Sequence, residues 1–166
     1  GWDRIGVDAG ALSEFTLVPN GRSAPYALRL SVDLEAGAPL YLEKNLARPH
    51  TVTLMLSVRV EEVATEGSRA ARFVELACDD TVILFKINTS RVPFVETRLA
   101  NLGMSAGRLE LGKWRWVELR AEGLFDADGG VVVLRHPEVD ASLEAPTPPC
   151  NSDVRLRLGN LIVNEG

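Results

Sequence analysis

The sequence predicts an all-β domain built as two antiparallel sheets packed face to face. Three observations carry this. Apolar and polar residues alternate with period two over several segments, so each segment has one face for a core and one for water. Turn-forming residues separate those segments at short intervals. No stretch of ten residues shows the 3.6 periodicity of a helix. With 166 residues, 46% hydrophobic and 25% charged, the chain is long enough for one domain, residues 1–166, with a core of its own.

Taken in order, Leu28, Leu30, Val32 and Leu34 alternate with Ala27, Arg29, Ser31 and Asp33. The longest run is Thr51 to Val60, where Val52, Leu54, Leu56, Val58 and Val60 form the core set. Val60 to Arg72 is the one short helix candidate, and it reads as a hairpin loop. Val74, Leu76 and Cys78 share a face, and Val82-Ile83-Leu84-Phe85 is apolar on both faces, as a central strand would be. Val117 and Leu119 alternate with Glu118 and Arg120; Val131 to Leu134 is again apolar throughout; Val154, Leu156 and Leu158 alternate with Arg155 and Arg157. Between the runs lie Pro19-Asn20-Gly21, Glu35-Ala36-Gly37, Asp79-Asp80, Asn88-Thr89-Ser90, Gly112-Lys113 and Asp126 to Gly130. The pattern suggests about eleven or twelve strands.

Composition excludes several classes. No run of about 18 apolar residues exists, so membrane insertion is not expected. A net charge of −5 repels a phosphate backbone, so nucleic acid is not expected as a partner. The basic residues are 15 Arg against 3 Lys. Guanidinium groups at Arg29, Arg59, Arg120, Arg155 and Arg157 all take polar-face positions and could serve an anionic ligand if they converge. Cys78 and Cys150 allow one bridge, and a bridge and two free thiols both remain open at this level. The chain begins at Gly1 with no apolar leader after it, which fits either a removed signal peptide or an excised domain.

At Lys113-Trp114-Arg115-Trp116-Val117-Glu118-Leu119 the sequence resembles the laminin-G-like members of the concanavalin A-like lectin/glucanase superfamily. The Gly112 to Leu119 strand, the strand from Gly130 to Arg135, and Arg157-Leu158-Gly159-Asn160 fit the second half of that pattern. Ala27 to Leu30, Pro39 to Leu46 and the Thr51 run fit the first half. The resemblance implies a jelly-roll sandwich that recognises carbohydrate or mediates adhesion in a secreted, cell-surface or periplasmic bacterial protein. Its partner would be a glycan or a protein at the cell surface; a structural or protein-interaction sandwich without glycan binding is the alternative. Such domains usually close with a further strand beside the N-terminal one. Here either Leu161 to Val163 supplies a short closing strand or one is lacking, and in the second case the N-terminal strand would leave an open sheet edge for strand pairing.

The candidate ligand residues are Trp114, Trp116, Glu118 and Arg120, which alternation places on one strand face. Two indoles could stack on a sugar, and the charged pair could bind its hydroxyls. The competing reading buries one Trp in the core. No cofactor is required; calcium is the one candidate, with Asp126 and Asp128 resembling the start of a calcium loop or closing an ordinary Asp/Gly turn. Catalytic signatures are incomplete. Glu75 to Asp80 breaks the carboxylate spacing of family 16 glucanases, and the alginate lyase and galectin sets are missing. Gly103-Met104-Ser105-Ala106-Gly107 fits a nucleophile elbow, followed by Asp126 or Asp128 and His136 in hydrolase order, but no helix follows Ser105. His50, His136, Cys78 and Cys150 lack the short spacing of a zinc site. The sequence therefore predicts that the domain is not an enzyme.

Overall fold

A computed structural model describes residues 2–7, 14–19, 26–31, 40–60 and 71–160. Their strands are β1 (Arg4–Val7), β2 (Glu14–Pro19), β3 (Tyr26–Ser31), β4 (Leu40–Leu46), β5 (Thr51–Arg59), β6 (Ala71–Cys78), β7 (Thr81–Ile87), β8 (Pro93–Glu96), β9 (Asn101–Gly103), β10 (Trp114–Glu122), β11 (Gly130–His136), β12 (Ala141–Thr147) and β13 (Val154–Asn160). Two short 3₁₀ turns, Ser105–Gly107 and Pro137–Val139, complete the described elements. The all-β expectation holds. Leu161 to Val163 and residues 61–70 lie outside the described residues.

Seven strands form one antiparallel sheet in the order β1-β4-β13-β6-β7-β8-β9. Four form the second, in the order β12-β11-β10-β5, and β2 pairs with β3 in a separate hairpin. The two larger sheets pack as a sandwich. Alternation decides which residues face inward: Val74 and Leu76, Ile83 and Phe85, and Val154 and Leu156 from the first sheet meet Val117 and Leu119, and Val132 and Leu134, from the second. Phe73 closes edge-to-face on Phe85, with ring centroids 4.5 Å apart, beside a register shift between Arg72 and Val74. The β7 and β11 segments that read as apolar on both faces are interior strands, as expected.

The sandwich is tied at its ends. Cys78 and Cys150 form a disulfide with their Cα atoms 5.6 Å apart, which settles the cysteine question in favour of a bridge. Around it, Asn151 N–H donates to Asp79 Oδ2 at 2.8 Å and Thr81 Oγ1–H to the Pro149 carbonyl at 3.2 Å. Hydrogen bonds from Ser152 and Asn151 hold the Asp79 carboxyl below its usual range. At one edge the buried Thr97 donates its hydroxyl to the Pro146 carbonyl at 2.7 Å, joining the end of β8 to β12 of the opposite sheet.

Candidate functional site

The inward positions of β10 are Val117, Leu119 and Ala121, so Trp114, Trp116, Glu118, Arg120 and Glu122 stand on the outer face of the four-stranded sheet. All four predicted site residues therefore share a face. Neither indole is a core residue; both are half-buried.

Register sets their neighbours. Glu118 lies opposite Arg135 of β11, which lies opposite Ser142 of β12. The next row is Arg120, Val133 and Glu144, and the next is Glu122, Val131 and Pro146. Glu118, Arg120, Glu122, Val133, Arg135, Ser142 and Glu144 line an open groove of about 350 Å³. The groove runs roughly 13 Å along β10 and about 10 Å across to β12. Val133 is its apolar floor, with guanidinium and carboxylate groups around it.

Three carboxylates and two guanidiniums leave the groove close to neutral. Arg120 pairs with Glu122 along its own strand. Among the described residues, Glu118, Arg135 and Glu144 make no ion pair, although Glu118 and Arg135 are cross-strand partners. Donors and acceptors therefore stand side by side and point outward. Sequence reasoning found Glu118 and Arg120 but not Glu122, two residues further along the same strand face, nor Arg135, Ser142, Val133 and Glu144, which strand pairing brings in. The one available signal was that Arg135 follows Val131 and Val133 at the same alternating position. Trp116 and Trp114 occupy the next two rows, opposite Ser57 and Arg59 of β5, and lie outside the groove lining.

The polar-face arginines do not converge. Arg59 and Arg120 belong to the outer face of the four-stranded sheet, while Arg155 and Arg157 lie on the far side of the molecule, on the seven-stranded sheet. There they are held by Glu43 and Glu75. The Arg29 side chain is outside the described residues.

The remaining candidates separate. Asp126 and Asp128 are exposed in the β10–β11 turn, where Asp126 N–H donates to the Gly123 carbonyl and Gly129 N–H to the Asp126 carbonyl. No group of three or more His, Cys, Asp or Glu side chains that could hold a metal ion occurs among the described residues. The hydrolase order also fails in space: β11 runs from Gly130 to His136, so roughly 20 Å separates the Asp126 turn from the His136 end. His136 is buried, and neither ring nitrogen has a hydrogen-bond partner. Burial lowers its pKa, with Glu138 pulling the other way and Arg115 adding to the depression. Arg115 bridges Glu110 at 2.6 Å and Glu138 at 3.2 Å over that end of the sandwich.

No helix among the described residues is long and apolar enough to cross a membrane. No family model matches the chain, and no curated protein matches it. A solved structure that does match is the crystal structure of scytalido-glutamic peptidase with a transition state analog inhibitor, at 10% identity and a TM-score of 0.48. The match covers 72% of this chain, and the chain spans about 64% of that protein's length. The matched protein is a peptidase, so the expectation that this domain is not an enzyme is withdrawn. The physical reason is that a sandwich is a scaffold, and a catalytic set can be assembled from separate strands without leaving a contiguous motif. At this identity and TM-score the match assigns no residue and no activity to the chain.

Proposed function

We propose that the chain is a carbohydrate-recognition or adhesion module that binds a glycan in the groove between β10, β11 and β12. The observation that carries this reading is the lattice of Glu118, Arg135 and Glu144 around Val133, three charged groups that make no ion pair among the described residues. A sugar ring presents hydroxyls that donate and accept at once, so it suits alternating carboxylates and guanidiniums. It also presents apolar C–H faces, which suit a valine floor. An anionic chain would meet three carboxylates against two guanidiniums, so the charge count favours a neutral glycan. Trp116, one row beyond Glu118, is placed to cover a longer ligand. The disulfide supports an oxidising compartment, hence a secreted, cell-surface or periplasmic setting. The binding needs no calcium on this reading.

A glycan array probed with and without a calcium chelator tests the proposal. Binding to neutral glycans in both conditions, reduced by Arg135→Ala, supports it. Absence of binding to any neutral or acidic glycan would reject it.

A further inference from the structure

The sandwich has four edge strands among its described residues, and three are guarded. Strands β1 and β9 are four and three residues long. Strand β12 carries Pro146 and the exposed Glu144. Short strands, prolines and charges are the usual ways to block edge-to-edge association. Strand β5 is neither short nor interrupted by proline. It is nine residues long, pairs with β10 in unbroken register from Thr51 to Arg59, and carries one charge, at its last residue. Its inward side chains Leu54, Leu56 and Val58 stay partly exposed, whereas Val117 and Leu119 on the adjoining strand are sealed at 1%. No strand among the described residues pairs with this edge, which is apolar as well, and Met55 at its centre is 63% exposed.

The order of its side chains selects the occupant. Thr-Val-Thr-Leu-Met-Leu-Ser-Val-Arg is close to a palindrome about Met55. We propose that β5 pairs antiparallel with β5 of a second copy of this chain, about a two-fold axis at Met55. In that register Val52 faces Val58, Leu54 faces Leu56, and Thr53 faces Ser57, each contact being made twice by symmetry. Charges are matched as well. Arg59 of each copy falls opposite Thr51, which neighbours Glu122 on β10, and no like charges meet. The dimer has one continuous eight-stranded sheet, with both grooves on its outer face. Edge pairing alone covers less surface than a permanent dimer uses, so the association is reversible and concentration-dependent.

Sedimentation velocity on the intact chain, from low to high micromolar, provides the first test. A concentration-dependent dimer is expected. Met55→Lys, which sets two ammonium groups against each other at the axis and leaves the core intact, should weaken it at least about tenfold with an unchanged melting temperature. Met55→Cys, incubated with oxidised glutathione, supplies the second test, because Cys78 and Cys150 are already bridged to each other. It should form a disulfide-linked dimer, since directly opposed residues are about 4.5–5.5 Å apart. Thr53→Cys should not, because its copies stand roughly 13 Å apart in this register. A monomer at every concentration would overturn the proposal. So would failure of Met55→Cys to crosslink, or equal crosslinking by Thr53→Cys.

Discussion

Arg157 donates its Nε–H to Glu43 Oε2 at 2.8 Å, from β13 to the facing position on β4. The same guanidinium reaches Glu75 of β6 at 3.3 Å and stacks over the Tyr41 ring, 4.4 Å from its centroid. One side chain therefore clamps three adjacent strands on the face of the seven-stranded sheet that turns away from the core. Glu43 is 10% exposed and Arg157 23%, so the pair is shielded far more than an ordinary surface ion pair.

Removing one partner should expose that value. Glu43→Ala leaves a partly buried guanidinium with weaker compensation from Glu75, and should cost about 1–3 kcal/mol. A double-mutant cycle in urea with Arg157→Met measures the coupling. A coupling energy near zero would show that the clamp is ornamental.

His136 makes stability depend on pH. Its folded-state pKa is depressed, chiefly by burial, so the unfolded chain takes up a proton near pH 6.5 while the folded chain stays neutral. Stability is thus fully present above about pH 6.5 and declines as pH falls toward the folded value, at no more than about 1.4 kcal/mol per pH unit. Carboxylates held below their usual range, Asp79 and Glu110 among them, add their losses only lower, below about pH 4. Urea denaturation between about pH 5 and pH 8 should show the slope, and His136→Leu should flatten it.

The disulfide closes a loop with a sequence separation of 72. On chain-entropy grounds Cys78→Ser with Cys150→Ser should lower stability by roughly 4 kcal/mol. Equilibrium denaturation of the double variant against the parent checks this. The Thr97 hydroxyl is expected to matter for a different reason: it donates to Pro146 and accepts from Leu99 and Ala100 N–H. Thr97→Val should cost about 1–3 kcal/mol by leaving those groups unpaired.

Strands whose inward positions are Val, Leu or Ile were legible in the sequence. Strands β5, β10 and β13 follow the alternation that predicts them, because one face is buried by large aliphatics and the other is not. Strand β12 was not legible. Its inward residues are Ala141, Leu143, Ala145 and Thr147, and it contains a proline, so the apolar contrast is weak. That strand supplies Ser142 and Glu144, two of the seven groove residues, which is why that side of the groove escaped notice. The arginines illustrate the same limit. Period two tells which residues share a face of one strand, but only the pairing order tells which sheet that face belongs to.

Leu119→Asp is the control for the sandwich itself. Leu119 is 1% exposed between the sheets, and a carboxylate there should abolish cooperative folding, read as loss of the thermal transition.

The central claim concerns the groove. Backbone amide NMR of the isotopically labelled chain, titrated with a neutral oligosaccharide chosen from the array, tests it most directly. Saturable shifts confined to Glu118, Arg120, Val133, Arg135, Ser142 and Glu144 and their neighbours are the predicted result. Shifts on the Glu43, Glu75 and Arg157 face, or none at saturating sugar, would contradict it.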